Sequence, residues 1–130
     1  MPPNWQLNLE RLEEFIKILP KQYLFAFEMR NTSWYIQNVI DLFKRFNIAL
    51  CIHDFTGDLL FKQITANFIY IQFHGPVRPY YGKYSTDHLN QWAEKINTWL
   101  KQNVKIFAYF NNDAHDWAVE NALEIKNRIM

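Results

Sequence analysis

Apolar residues follow two alternating spacings along this chain. Spacings of three and four residues are typical of helices that bury one face, and they predict four helices, at residues 8–19, from about 33 to 46, from 85 or 86 to about 102, and through 118–129. Asn8 is a suitable cap for the first helix, and Pro20 ends it. The last helix carries one apolar face, made of Ala118, Ala122, Ile125 and Ile129.

Short apolar runs between these helices predict four strands. They read YLFAFEMR, IALCIHDF, NFIYIQFHG and KIFAYFNN, at residues 23–30, 48–55, 67–75 and 105–112. Residues 56–66 form a predicted loop that holds at most one turn of helix. Because strands that are separated by helices return through long crossovers, they indicate parallel pairing. The pattern therefore predicts an α/β fold of four parallel strands with flanking helices.

Polar residues gather at the carboxyl ends of all four predicted strands, which finish FEMR, IHDF, QFHG and FNN. In a parallel sheet these ends lie along one edge, where ligands bind. Side-chain alternation places Glu28 and Arg30 on one face of the first strand. It places Gln72 and His74 together on one face of the third strand.

The other two strand ends add three further candidates. In the second strand, either His53 or Asp54 points with the polar set. In the last strand, Tyr109 and Asn111 share a face, opposite the more apolar one. The coincidence of polar residues at all four strand ends favours a binding site there.

Each of these residues also has a simpler structural explanation. Glu28 and Arg30 lie two residues apart on one face, which suits a structural ion pair. His74 precedes a glycine and could cap a turn. Asn111 and Asn112 are good turn formers, and one of them could cap the last helix.

The connection at residues 74–85 reads HGPVRPYYGKYS and carries an unusual concentration of rings and charges. Arg78 and Lys83 could hold a phosphate or carboxylate, assisted by the amino end of the helix near Ser85. The tyrosines of this loop could stack on a sugar or a base; they are Tyr80, Tyr81 and Tyr84.

Composition and net charge indicate a globular protein and disfavour some classes of binding partner. The chain has 130 residues, which suits one domain, and its 49% hydrophobic and 21% charged content is typical of globular proteins. Aromatic residues make up 18%, enough to leave some Tyr and Trp for a binding surface. The net charge of +1 provides no general basic field, so nucleic acid is a disfavoured partner that a local cationic site would still allow.

The single cysteine, Cys51, lies in an apolar run and is expected to be a buried thiol. No segment reaches the ~18 continuous apolar residues that span a bilayer, and the amino terminus lacks a signal pattern. These features predict a reduced cytoplasmic protein with no membrane partner. Glu28, Asp54 and His74 are metal-ligand types, but no HxxxH, CxxC or HxH spacing supports a divalent metal.

The motifs of this chain, taken together, resemble those of the YecE-like family, domain of unknown function 72. The similar blocks are FEMRNTSW, a strand ending in HD, YIQFHGPVRPYYGKYS, LNQWAEKI and FAYFNND, and they cover the chain from the first helix onward. The resemblance implies a TIM-type barrel fold whose activity is not established. It places the family's motif positions on Glu28, Arg30, Ser33, Trp34, Asp54, His74, Gly75, Tyr81, Tyr84, Ser85, Asn111 and Asn112.

Two departures from the family pattern bear on the expected site. The family usually has Arg at the position of Gln72 and His at the position of Asn31. Losing a cation at Gln72 would weaken an anion site at the mouth of the barrel. Neither P-loop, GxGxxG nor GxSxG motifs are present, so nucleophilic and nucleotide chemistry has no sequence support.

The chain is also shorter than the fold that the resemblance implies. A TIM barrel needs eight strands and about 250 residues, whereas this chain supplies four predicted strands. We therefore expect one partial barrel domain over residues 1–130, a parallel-stranded half that lacks the family's N-terminal half. Open strand edges invite pairing, which predicts a homodimer or pairing with the missing N-terminal half. The alternative is a flattened sheet covered by a displaced helix.

Three functional hypotheses remain open at this point. The first is an enzyme-type site for a small anionic or sugar-like ligand, whose reaction is unknown. Its catalytic candidates are Glu28, as base or metal ligand, Arg30, Asp54 and His74. Its ligand-binding candidates are Gln72, Arg78, Tyr81, Lys83, Tyr84, Asn111 and Asn112. The second hypothesis is a barrel that processes a phosphodiester or nucleic acid, and the third is a non-catalytic half-barrel that only folds or assembles.

Overall fold

The computed structural model describes residues 1–54 and 63–129, which form a mixed α/β fold. Four helices of this part of the chain are α1 (Leu9–Lys17), α2 (Gln37–Phe46), α3 (Thr86–Leu100) and α4 (Trp117–Lys126). Its strands are β1 (Ala26–Phe27), β2 (Ala49–Leu50), β3 (Ile52–His53), β4 (Phe68–Phe73) and β5 (Lys105–Phe110). Two short 3₁₀ turns precede α2 and α4, at Thr32–Trp34 and Ala114–Asp116.

The strands form two sheets, and they run parallel. β1 pairs with β2 in parallel, with Ala26 opposite Ala49 and Phe27 opposite Leu50. The second sheet has the order β3–β4–β5. Because each parallel return needs a crossover, helices flank these strands as the sequence predicts.

The chain divides into two compact units. Among the described residues, the first unit holds 1–52 and 63–70, and the second holds 53–54 and 71–129. Helices α1 and α2 belong to the first unit, and α3 and α4 belong to the second.

The core of the first unit forms where α1 and α2 bury their apolar faces. Leu12 and Ile16 of α1 pack in one cluster with Val39, Leu42 and Phe43 of α2. The helices start and stop where the sequence allows: the Asn8 side chain accepts a hydrogen bond from the Arg11 N–H at 3.0 Å, and Asn47 ends α2 in a left-handed conformation.

The core of the second unit centres on Phe73, the last residue of β4. Its ring stacks on Phe110 of β5, with centroids 4.4 Å apart, and meets Trp92 of α3 edge-on at 4.9 Å. Helix α3 begins where the Ser85 hydroxyl accepts a hydrogen bond from the His88 N–H at 3.2 Å. The buried aromatic cluster thereby ties the carboxyl end of β4 to the helix that follows it.

The helices confirm the periodic pattern, with shifted ends. α1 ends at Lys17 rather than at residue 19, and α2 begins at Gln37 because Ser33 lies in the 3₁₀ turn that precedes it. α4 ends at Lys126, so Ile129, which the prediction placed on the apolar face of this helix, lies beyond its end. Cys51 is buried, as expected.

The bounds of the strands differ more from the prediction than those of the helices, because the ends of a strand depend on the segments that pair with it. The first is reduced to two paired residues, and the second is interrupted at Cys51. There the Leu50 N–H donates to the Thr65 hydroxyl at 2.8 Å, and that hydroxyl donates to the Ile48 carbonyl at 2.6 Å. A side chain thus takes two backbone groups on the side of β2 that faces away from β1, whereas the Cys51 N–H still donates to the Phe27 carbonyl at 2.9 Å. The third and fourth strands are shorter than predicted and end at Phe73 and Phe110.

Two remaining predictions concern the connections. Residues 63–65 have no regular structure, and residues 55–62 of the predicted second strand and loop lie outside the described residues. Within residues 1–54 and 63–129, none of the helices combines the length and the apolar character needed to cross a membrane.

Candidate functional site

The loop at residues 75–84, which we call the rim loop, leaves the carboxyl end of β4 and leads into α3. It turns sharply at two glycines with positive φ, Gly75 at 133° and Gly82 at 101°. A Cβ at Gly75 would lie 2.5 Å from the carbonyl oxygen of Tyr81, so only glycine fits there. Tyr80 has φ at 65°, which is uncommon for a bulky residue and signals local backbone strain.

Asp54 anchors the start of the rim loop through its carboxylate. One oxygen, Oδ1, accepts a hydrogen bond from the His74 N–H at 2.9 Å, and Oδ2 accepts one from the Gly75 N–H at 3.4 Å. The Tyr84 hydroxyl also donates to Oδ2 and accepts from the Gly75 N–H at 2.8 Å. The two ends of the loop therefore share one hydrogen-bonded cluster.

Tyr84 is almost completely buried, with 1% of its surface exposed. Burial raises the pKa of its phenol well above the usual range, and the hydrogen bond to Asp54 and the charge of that carboxylate raise it further. Tyr84 therefore stays protonated and donates to Asp54. Its ring packs edge-on against Phe73 with centroids 5.5 Å apart, so the burial gives no support to the predicted stacking of Tyr84 on a ligand.

A pair of fully buried amides holds the end of the rim loop. The Asn112 side-chain N–H₂ donates to the Gly82 carbonyl at 2.8 Å and to Asn121 Oδ1 at 3.0 Å. The Asn121 amide accepts from the Tyr84 N–H at 3.0 Å and donates to the Tyr84 carbonyl at 3.2 Å. Asn121 was not among the predicted site residues, although its position between Ala118 and Ile125 on the apolar face of α4 was a usable signal.

The outer part of the rim loop presents exposed side chains to solvent. Arg78 is exposed and lies over the ring of Tyr81, with its guanidinium carbon 4.5 Å from the ring centroid. Tyr80 is 50% exposed, and its ring lies 5.8 Å from that of the buried His74. The His74 ring lies 6.2 Å from the ring of His53. The rim loop thus presents an exposed cation and an exposed phenol, and the buried imidazole of His74 lies beside that phenol.

The remaining predicted residues of the second unit have local roles. Lys83 forms an ion pair with Glu120, and both side chains are about half exposed. Gln72 is buried within β4, with 8% exposure. The Asn111 N–H donates to the Phe73 carbonyl at 2.8 Å and so extends the pairing of β5 with β4.

Glu28 and Arg30 lie in the first unit and contact each other. The Arg30 Nε–H donates to Glu28 Oε1 at 2.6 Å, and both side chains are partly buried. This contact is the structural ion pair that their spacing on one strand face suits. The neighbouring Tyr35 hydroxyl donates to the Met29 carbonyl. Burial, followed by electrostatic interactions with Cys51 and Glu28, raises the pKa of Tyr35 to about 12.

The structure therefore assembles two groups of the predicted residues, each within its own unit. One is the Glu28–Arg30 pair, and the other is the cluster around Asp54, His74 and Tyr84. Their catalytic roles stay predictions. Among the described residues, no group of three or more His, Cys, Asp or Glu side chains is arranged to hold a metal ion.

Solved structures share this fold. A DUF72 family protein from Thermotoga maritima MSB8 matches with a TM-score of 0.80 and 22% identity, over 98% of this chain and 54% of its own. A DUF72 family protein from Enterococcus faecalis V583 matches in two crystal structures, with TM-scores of 0.77 and 0.75 and 21% identity, over 99% and 98% of this chain and 56% and 57% of its own.

These likenesses are below 25% identity and concern the fold alone. The chain spans little more than half the length of the solved proteins that it matches. No curated protein matches the sequence. The family model described as "Protein of unknown function DUF72" matches residues 1–130, and the chain therefore belongs to the DUF72 family.

Proposed function

We propose that the second unit binds a small anionic ligand, phosphorylated or sugar-like, at the rim where β3 and β4 end. The observation that carries this proposal is the construction of the rim loop. Partly buried hydrogen bonds to the Asp54 carboxylate and buried ones with the Asn112 and Asn121 amides fix its two ends. Arg78 and Tyr80 stay exposed between them. A loop that serves only as a connection does not need this many buried polar contacts.

The anchoring lowers the cost of binding. Strained backbone such as that of Tyr80 costs on the order of 1–3 kcal/mol and persists only where the surroundings enforce it. An ordered loop loses little conformational entropy when a ligand binds, so its contacts contribute more of their energy to affinity. Strain held in place beside exposed polar side chains is typical of binding sites.

Arg78 supplies the chemistry that favours an anion. Its guanidinium offers a planar fork of donors that matches phosphate and carboxylate oxygens. The ring of Tyr81 beneath it restricts the side chain without neutralising its charge. Lys83 is a weaker candidate because Glu120 already pairs with it.

His74 is the acid–base candidate of this rim. Imidazole is the side chain that most often serves as a general acid or base, and the Asp54 carboxylate fixes the backbone of His74 by accepting a hydrogen bond from its N–H. In this proposal Asp54 positions His74 rather than exchanging protons itself. We assign no specific reaction to this site. The catalytic role predicted for Glu28 and Arg30, which pair in the first unit, is a separate prediction.

A parallel-stranded half of a TIM-type barrel is the fold that we propose for this arrangement. Parallel strands that alternate with helices, membership of the DUF72 family and a span of 54–57% of the solved relatives all support it. In such barrels, ligands bind at the carboxyl ends of the strands. The rim loop follows β4 at this end.

Calorimetric titration with inorganic phosphate and with a sugar phosphate tests the proposed site. We expect Arg78→Ala to weaken binding by roughly tenfold to a hundredfold, as losing a charged hydrogen bond of about 1.5–3 kcal/mol requires. Lys105→Ala is the matched control, because it removes one positive charge at the opposite, amino end of β5. Binding should be unchanged in that variant.

Two results would count against the proposal. Equal losses in Arg78→Ala and Lys105→Ala would indicate a general charge effect and no site. Absence of binding to either probe would favour the non-catalytic alternative, and a steep salt dependence with an oligonucleotide would favour the nucleic-acid alternative.

A further inference from the structure

Strand β5 exposes far more of its surface than a covered strand would. It lies at one end of the order β3–β4–β5, and no strand of the described residues lies on its other side. Phe107 and Tyr109 are 39% and 48% exposed. A strand edge with exposed aromatic side chains is a surface to which another strand can add.

The backbone of β5 has the geometry for such an addition. The Asn111 N–H points to β4, where it donates to the Phe73 carbonyl. Because backbone groups of successive residues point to opposite sides of a strand, those of Ala108 and Phe110 point away from β4. These groups are oriented to pair with a further strand on the free side.

An apolar groove lies beside this edge, within the second unit. It has a volume of about 450 Å³ and is lined by Ala108, Phe110, Ala122, Ile125, Lys126 and Ile129. A strand that adds to β5 would direct alternate side chains into this groove and over Phe107 and Tyr109. Both faces of the added strand would therefore find apolar partners.

The first unit carries a strand that is suited to this role. In the part of the chain that the structure describes, β1 pairs only with β2, through two residues. The residues that lead into it are apolar and exposed, Tyr23 at 64% and Leu24 at 54%. The carbonyls of Phe25 and Phe27 accept hydrogen bonds from the strand beside them, so the backbone groups of Ala26 point to the other side and can continue a parallel sheet there. Next along this edge, the Glu28 carbonyl accepts a hydrogen bond from the Met1 ammonium at 2.9 Å.

We propose that β5 of one copy of this chain pairs in parallel with the β1 segment of a second copy. Both edges belong to parallel sheets, and both are flanked by exposed apolar side chains. The solved relatives extend this fold with further chain, since the region shared with this protein covers only 54–57% of them. A second copy supplies a strand of the same kind to the edge that is open here.

Light scattering coupled to size exclusion tests this pairing on the 130-residue chain. We expect a mass of twice 15.8 kDa at micromolar concentrations. Ala108→Pro should shift the dissociation constant upward at least tenfold, because proline removes an N–H on the free side while edge strands tolerate it. Tyr109→Lys and Leu24→Lys should shift it in the same direction, one from each partner edge.

Val119→Lys is the matched control, since Val119 is 61% exposed on α4 and does not line the groove. Its dissociation constant should equal that of the wild type. Circular dichroism and thermal melting show whether each variant is folded. Because there are three edge variants, the test does not fail if one of them is unfolded.

Three outcomes would overturn the proposal. The wild-type chain could be monomeric at every concentration. The dimer could persist with all three edge substitutions, which would place its interface elsewhere. Sensitivity to the β5 substitutions without sensitivity to Leu24→Lys would show that β5 pairs with a different segment from the one proposed.

Discussion

The rim loop and strand β5 belong to the same unit and distribute their side chains in opposite ways. The rim loop is rich in polar residues, yet it is held by buried ones: Asn112 and Asn121 are fully buried, and Tyr84 is 1% exposed. β5 is rich in aromatic residues, yet it leaves Phe107 and Tyr109 39% and 48% exposed.

The difference shows where each segment finds its partners. Buried polar groups are stable only when their hydrogen bonds are formed, and those of the rim loop are formed inside the unit. The exposed part of an apolar side chain gains no burial energy from the unit that carries it. We therefore expect changes in the rim loop to alter folding stability, and changes in β5 to alter association.

The largest effect is expected from Gly75→Ala in the rim loop. Its Cβ would lie within 2.6 Å of two backbone carbonyl oxygens, those of Tyr81 and Arg78, and φ is 133°. We expect a loss of roughly 3–5 kcal/mol in the free energy of unfolding, measured by urea denaturation. Gly82→Ala is the comparison, since there the Cβ meets a flexible Val77 methyl at 2.7 Å and the loss should be smaller. Equal losses would show that the backbone contact at Gly75 is not decisive.

Asn121→Ala should have the next largest effect. It removes the partner of the Tyr84 N–H, the Tyr84 carbonyl and the Asn112 amide, all of them buried. We expect a loss of about 2–4 kcal/mol on urea denaturation, because unsatisfied buried groups bear the full cost of desolvation. Asn90→Ala is the control, since Asn90 is exposed and should cost less than about 0.5 kcal/mol. A small effect in both variants would mean that water replaces the buried amide.

The pair Tyr84→Phe and Tyr109→Phe compares the two regions with one chemical change. At neutral pH, Tyr84→Phe should cost about 1–2 kcal/mol because Asp54 and the Gly75 N–H lose a partner. Tyr109→Phe should cost less than about 0.5 kcal/mol, because half of that side chain already lies in water. Denaturation of both variants and the wild type at one protein concentration gives the comparison.

The stability difference between the wild type and Tyr84→Phe should depend on pH, and the direction of that dependence follows from the pKa of Tyr84. Folding raises that pKa, so the contribution of the Tyr84 hydroxyl to stability is fully present below the usual tyrosine pKa of about 10. It is lost as the pH rises beyond that value, since the unfolded chain then releases the proton first. The difference between wild type and Tyr84→Phe should shrink at alkaline pH. A difference that stayed constant up to pH ~11 would contradict the buried, protonated phenol.

The smallest effect on folding is expected from Phe107→Ser in β5. At concentrations where light scattering shows a monomer, the free energy of unfolding should change by less than about 0.5 kcal/mol. At higher concentrations the same variant should dissociate more readily than the wild type. A large loss of monomer stability would show that Phe107 belongs to the core of its own unit and would remove the contrast between the two regions.

The helices were the most predictable part of this fold, and the strand ends the least. A helix forms its hydrogen bonds within one segment, so the spacing of Leu12 and Ile16 or of Val39 and Phe43 was sufficient to identify α1 and α2. A strand forms its hydrogen bonds with another segment. The Leu50 N–H and the Ile48 carbonyl have the Thr65 hydroxyl as their partner, 15 and 17 positions further along, which no local pattern contains.

In the candidate site, too, the locally determined features were predictable and the long-range contacts were not. The sequence pointed to the rim loop through its glycines, cations and tyrosines, and it identified Asp54 and His74 as neighbours of the strand ends. It assigned Tyr84 to a ligand, whereas the ring lies in the core and the hydroxyl holds Asp54. It overlooked Asn121 because one amide on an apolar helix face gains its meaning only from the backbone that approaches it.

By itself, the sequence determined the α/β class, the order and approximate position of the elements, and the polar character of the strand ends, because these depend on periodicity and on composition. Tertiary structure decided which polar side chains anchor the rim loop and which of its cations has an acidic partner. It also placed β5 at the end of its sheet, among the described residues, with partly exposed aromatic side chains. Those outcomes depend on contacts between residues far apart in the chain. From the sequence alone, Arg78 and Lys83 are equivalent candidates for binding an anion. In the structure, Lys83 pairs with Glu120, whereas Arg78 lies over the ring of Tyr81.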